Sequence, residues 1–153
     1  MPLISTEPYL PALAALAKHY PVPLQGIEAV PSIQEWCKAR GMPERNPHLT
    51  GKCLRCRETG EYLILLAATI SDDAKDSAIA ATELLSPGSP TASIQSPDAF
   101  LVYLFLHELA HALDQSRTEA ACDAWAFAEL PTNLRRLADW RLAARCTLTM
   151  CPS

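Results

Sequence analysis

Thirteen prolines divide this chain and limit the length of the elements it can form. Proline lacks an amide proton and fixes φ, so it ends helices and stays out of central strands. Between Pro8 and Tyr20 the apolar residues Leu10, Leu13, Ala14, Leu16 and Ala17 recur at helical spacing, and Pro21, Pro23 and Gly26 end that helix. Ile27–Val30 reads as a short strand. Ser32 is placed to cap a helix running to about Arg40 and closed by Gly41, and Met42–Thr50 is loop.

Two runs flank the turn at Thr59-Gly60 and predict a β-hairpin over about 52–70. The second run, Glu61–Ile70, is rich in Leu and Ile without alternation, which places it inside a sheet; the first alternates in charge and suits an edge. Ser71 is a cap for a helix over Asp72–Leu85, with Asp72 and Asp73 favourable in its first turn. Ser86–Ser96 is a loop of prolines, serines and Gly88, and a candidate lid. Ser96-Pro97-Asp98 is a strong helix start, giving a helix to about Asp114. After the connection Gln115–Thr118, a helix over Glu119–Leu130 is expected to stop at Pro131, with Thr132 or Asn133 capping a last one to about Arg145. No repeat or second domain is visible, so residues 1–153 read as one domain.

Hydrophobic residues make up 49% and charged residues 20%, which excludes global disorder. The net charge of −4 comes without a basic block, so no nucleic-acid partner is implied. Arg135, Arg136, Arg141 and Arg145 read as a solvated helix face. No apolar run is long enough to span a bilayer, and no membrane partner is expected. The N-terminus lacks the positive region of a signal peptide, so a cytoplasmic location is expected. The six cysteines are then thiols or ligands; a secreted context would make them disulfides instead.

The string His107-Glu108-Leu109-Ala110-His111 fits the H-E-x-x-H pattern. Residues four apart stack on one helix face, so both imidazoles can bind one metal ion. Zinc suits nitrogen ligands and leaves a fourth position for water. A carboxylate next to the first histidine flanks that face and can reach the water without ligating. His107 and His111 are therefore candidate zinc ligands and Glu108 the candidate general base. Bland packing histidines, bonded to backbone or carboxylate, are the alternative.

Asp114, Glu119 and Asp123 are candidates for a third ligand. Asp114 lies on the same helix. Glu119 opens the next element, which lets the site close from another direction, and Asp123 follows one turn later on its face. In this reading Glu119 completes the site and Asp123 accepts from the other nitrogen of a ligand histidine. Ser116-Arg117-Thr118-Glu119 also fits a capping box, so ligand and cap compete for Glu119.

His107–His111 followed by Glu119-x-x-x-Asp123 resembles the gluzincin class of zinc peptidases. The stretch from Glu119 to Pro131 is similar to the E-x-x-A-N-x-F-A-x-x-L-L-x-P signature of the ImmA/IrrE-type metallopeptidases, which act on phage-type or stress-response repressors. Cys122 stands where that signature has Ala, Asp123 where it has Asn, Trp125 where it has Phe, and Pro131 comes early. The resemblance covers about Leu101–Pro131. It implies zinc on His107, His111 and Glu119, Glu108 as catalytic base, and a protein or peptide substrate such as a regulatory protein. Relatives of that type usually pass from a strand almost directly into the active helix; here Ser71–Ser96 intervenes. The implied fold is α+β: a mainly helical, zincin-like domain with a small antiparallel sheet, the hairpin of about 52–70, packed on the HExxH helix.

Cys53-Leu54-Arg55-Cys56 is a lone C-x-x-C. With Cys37 and His48 it can be read as a second, structural zinc site, as a redox pair, or as plain hairpin cysteines. Cys146 and Cys151 are near enough in sequence to pair if oxidised. Tyr103 lies one turn before His107 on the same face, placed to stack against a ligand or donate a hydrogen bond, with core packing the favoured reading; Trp36, Trp125 and Trp140 read as core. The Tyr62–Ile70 strand is a candidate for aligning an extended peptide. The rivals to a general peptidase are a non-catalytic, zinc-stabilised binding module, a partner-specific processing protease or toxin, and a hydrolase acting on a non-peptide amide.

Overall fold

The structure, a computed structural model, describes residues 3–150. In chain order it contains β1 (Leu3–Ser5), a 3-10 turn (Glu7–Tyr9) leading into α1 (Leu10–Ala17), β2 (Leu24–Val30), α2 (Ile33–Lys38), β3 (Gly51–Arg55), β4 (Tyr62–Ala67), β5 (Thr69–Ser71), α3 (Asp72–Leu85), a 3-10 turn (Thr91–Ile94), α4 (Pro97–Leu113) and α5 (Glu119–Met150). The class is α+β, as expected.

Serine caps set three of these starts. Ser32 accepts from the Glu35 amide, Ser71 from Ala74 and Ser96 from Ala99. Each cap satisfies an otherwise orphaned helix amide and is worth ~1 kcal/mol. Gly41 follows α2 at φ +73°, a left-handed turn that a side chain would strain.

The hairpin forms with β3 antiparallel to β4, Cys53 opposite Ile64. The sheet is nonetheless not purely antiparallel. β2 joins the other side of β4 in parallel, giving the order β2-β4-β3. β4 is therefore central, which explains its lack of alternation. Ile64 and Leu66 face the main core, while Leu65 faces a smaller one with Val30, Ile33 and Cys37. The expected run to Ile70 breaks at Ala68. Beyond it, β5 pairs with β1 in a separate two-stranded sheet, Ile4 opposite Ile70. Thr6 holds this switch, its hydroxyl donating to the Ala67 carbonyl at 2.6 Å and its amide to Ala68 at 2.9 Å.

α4 is the core of the molecule. Phe100, Leu101, Val102, Phe105, Leu106 and Leu109 are all fully buried, so the helix is apolar nearly all round. The sheet, α1 and α5 pack on it. Each such side chain contributes roughly 1.5–3 kcal/mol.

α5 corrects the expectation of two helices meeting at Pro131. Pro131 lies inside one continuous helix. Ala126, Leu130, Asn133 and Leu137 form one buried stripe across the proline, and that packing outweighs the lost backbone bond. Asn133 reinforces it, donating to the Glu129 carbonyl at 2.9 Å and to the Tyr20 hydroxyl at 2.7 Å.

The arginine face is also only partly solvated. Arg141 makes a two-point contact with Asp98, at 2.6 and 3.0 Å, and Arg136 donates to Tyr20 and Asn133. The tryptophans are half-buried flanks of the two cores, with Arg40 stacked 3.7 Å over Trp36.

Candidate metal centre

The buried face of α4 stops at His107. That residue and His111 are half-buried and turn out of the core, their rings 5.1 Å apart, as the four-residue spacing dictates. The first turn of α5 crosses in front of them. Glu119 accepts from His107 Nε2 at 2.7 Å and meets His111 Nε2 at 3.2 Å. One ligand atom from each of His107, His111 and Glu119 lies within 4.8 Å of the others, a group able to hold a metal ion. Glu119 is 57% exposed, so the cage opens to solvent.

The capping-box alternative for Glu119 fails in geometry. The Ala121 amide is capped by Thr118 at 3.1 Å, and Ser116 bonds to Asp114 instead. Asp114 itself is exposed beyond the end of α4 and takes no part in the cage.

Asp123 sits one turn after Glu119 and is 2% exposed. It accepts from His107 Nδ1 at 2.8 Å, from the Tyr103 hydroxyl at 2.5 Å and from the Ser86 hydroxyl at 3.0 Å. Burial alone would raise this carboxyl, but the His107 and Tyr103 donors hold it below its ordinary range.

His107 thus lies between two carboxylates, and both ring nitrogens donate. Burial opposes its charge, yet Asp123 and Glu119 outweigh burial and push it up to about 10. The same contact with His107 holds Glu119 down at about 2.

Glu108 is 8% exposed and its carboxyl lies on the cleft lining. Burial lifts it to about 7. It has room because Gly51, at the start of β3, carries no side chain. A β-carbon there would sit 3.1 Å from Glu108 Oε2.

These residues line one side of a cleft of about 1130 Å³. Its other sides are β3 and the face of α3 bearing Ala74, Ala78, Ala81 and Leu85. The strand beside the cleft is therefore β3, at the sheet edge. β4, expected in that place, is covered on both sides. The intervening segment does not stay a mere connection either, because α3 builds a cleft wall. Within Ser86–Ser96, Ile94 is fully buried and Ser86 reaches Asp123.

Tyr103 packs like core, as expected, but its hydroxyl reaches the site. Its spacing before His107 was the only sequence signal. An isolated glycine in a strand is the signal for Gly51; Ser86 had none.

The cysteine reading gains no metal group. Among the described residues, Cys37, His48, Cys53 and Cys56 do not converge. Cys37 is buried in the smaller core, Cys53 packs on the main one, and Cys56 lies in the hairpin turn. Cys151 lies outside the described residues. No helix of the described chain is long and apolar enough to cross a membrane.

No family model, no curated protein and no solved structure matches this chain.

Proposed function

We propose that this chain is a zinc-dependent metallopeptidase of the gluzincin type, hydrolysing peptide bonds in a protein substrate. The observation that carries the reading is the joint placement of His107, His111 and Glu119 within 4.8 Å, beside Glu108 on the wall of a cleft.

The donor set fits zinc. Two imidazole nitrogens and a carboxylate are its usual open-site ligands. Glu108, Glu119 and Asp123 also surround the imidazoles with negative charge, which favours a dication. A zinc ion there would supply a water of lowered pKa and polarise the scissile carbonyl.

The chain's own residues do the rest. Asp123 takes the Nδ1 proton of His107 and so turns Nε2 toward the cage. Glu108 accepts a proton from the attacking water and passes it to the leaving amine, and its burial raises its affinity for that proton. The free edge of β3 offers backbone groups to an extended peptide, which would add as a further strand. The α3 face with its alanines and Leu85 bounds the substrate side chains on the opposite side.

The likeness to ImmA/IrrE-type metallopeptidases supports a regulatory protein as the substrate. A peptide library incubated with zinc-loaded protein tests the reaction. Cleavage by wild type and its loss in Glu108→Gln is the expected result. Equal cleavage by both would remove the peptidase reading, and cleavage by neither would leave a partner-specific protease or a non-catalytic binding module.

A further inference from the structure

We propose that Tyr103 and Ser86 are positioning residues, a pair of hydroxyl donors that hold Asp123 against His107 and join the α3 wall of the cleft to the metal cage. The proposal rests on reading that cage as a metal site.

The hydrogen count fixes the direction of the network. Asp123 is a carboxylate and can only accept, so Tyr103, Ser86 and His107 Nδ1 all donate to it. Tyr103 has one hydroxyl proton, and Asp123 receives it. Thr82 lies 3.2 Å from the Tyr103 hydroxyl and also donates to the Ala78 carbonyl at 3.1 Å, so its single proton is shared between the two and Tyr103 keeps its own for Asp123.

Packing makes this arrangement stiff. Tyr103 is 4% exposed, and its ring lies 4.8 Å from that of Phe127. Asp123 Oδ1 takes both Tyr103 and His107, while Oδ2 takes Ser86, so the plane of the carboxylate is pinned at both ends. Removing the Ser86 hydroxyl leaves Oδ2 without a donor, and removing that of Tyr103 leaves Oδ1 with His107 alone; either change loosens the carboxylate. His107 then loses its fixed ring orientation, and Nε2 no longer points steadily into the cage.

The placement of the donors adds a second consequence. Thr82 lies in α3, and Ser86 is the residue that ends it. Only Ile79 and Thr82 of α3 are buried. Ile79, Ala74 and Ala78 pack this wall on the core, and Thr82 and Ser86 tie it to Tyr103 and Asp123, so a displacement of α3 reaches His107 through Asp123.

The test is zinc affinity of the full chain, measured by competition with a chelating dye for wild type, Tyr103→Phe, Ser86→Ala and Ser86→Thr. Circular dichroism checks folding, and the visible spectrum of the cobalt-loaded proteins reports ligand geometry. Tyr103→Phe is expected to weaken zinc about 10-fold or more and to shift the cobalt bands. Ser86→Ala is expected to weaken it in the same direction, with Ser86→Thr restoring affinity. Ser86→Ala keeps the test decisive if Tyr103→Phe fails to fold, because Ser86 is only half-buried. Wild type that binds one zinc, with the folded Tyr103→Phe and Ser86→Ala variants within about twofold of it, overturns the positioning role alone. Wild type that binds no zinc overturns both this role and the metal-site reading beneath it.

Discussion

Gly51 and Glu108 approach so closely that a methyl group on Gly51 would meet Glu108 Oε2 at 3.1 Å and its Cγ at 3.3 Å. The strand edge and the Glu108 carboxylate thus share one small space. Gly51→Ala is expected to displace Glu108 by a few tenths of an ångström. Overpacking of this kind costs ~1–3 kcal/mol of stability. Zinc content should stay at the wild-type level, while kcat falls about 10-fold with little change in KM. Steady-state kinetics on a cleaved peptide, with zinc analysis of the same sample, checks this. Unchanged kcat would show that Glu108 does not depend on the space Gly51 leaves.

Glu108→Gln separates stability from chemistry. Burial raises the Glu108 carboxyl to about 7, so at higher pH the fold carries a poorly solvated charge. The amide has nearly the same shape and no charge. The metal-free variant is therefore expected to be more stable than wild type by about 1 kcal/mol above about pH 8, and close to it below about pH 5. Urea unfolding in EDTA at both pH values measures the difference. A variant less stable than wild type at the higher pH would contradict the assigned burial.

The pH dependence of the metal-free protein has a definite sign. His107 titrates at about 10 in the fold against 6.5, and Glu108 at about 7 against 4.5. Both folded values are raised, so both groups stabilise while protonated. The Glu108 contribution is complete below pH 4.5 and is lost as pH rises through 7. That of His107 is complete below pH 6.5 and is lost as pH rises through 10. Glu119 runs the other way, at about 2 against 4.5, so its contribution is present above pH 4.5 and is lost as pH falls through 2. Metal-free protein should therefore melt highest near about pH 5 and progressively lower toward about pH 10. Zinc competes with the Nε2 proton of His107, so the rise in Tm on adding zinc should grow over the same interval. Melting curves in EDTA and in excess zinc test both statements. A Tm in EDTA that climbs from about pH 6 to about pH 9 would contradict the cage electrostatics.

Pro131 lies inside the continuous helix α5. An interior proline costs up to ~3 kcal/mol through a missing amide and a clash with the preceding turn. The residue is exposed, so its removal opens no cavity. Pro131→Ala is expected to stabilise the protein by ~1–3 kcal/mol with zinc binding unchanged. Urea denaturation decides it. A loss of stability would mean that Pro131 itself helps seat the Asn133–Tyr20 contact.

The local features were legible because they are set by chemistry within a few residues. Ser32, Ser71 and Ser96 announce helix starts, and each caps the amide three residues on. The spacing of His107 and His111 already puts both on one face of a helix. The misread features are those decided by distant partners. Nothing near Pro131 reveals that the stripe from Ala126 to Leu137 finds a partner along its whole length. Nothing within Glu61–Ile70 reveals that Leu3–Ser5 takes its last strand or that β2 lies parallel on its other side. The competition between cap and cage for Glu119 was likewise settled by Thr118, an alternative cap one residue away. For Tyr103 the core reading and the hydrogen-bonding alternative both hold, because burial and hydrogen bonding are separate properties; its ring packs while its hydroxyl donates to Asp123.

The most direct measurement is zinc per chain by elemental analysis, on wild type and on the His107→Ala/His111→Ala double variant prepared alike. One zinc equivalent in wild type and none in the variant is the expected result. Zinc retained by the double variant, or none in wild type after incubation with zinc, would contradict a metal centre on His107, His111 and Glu119.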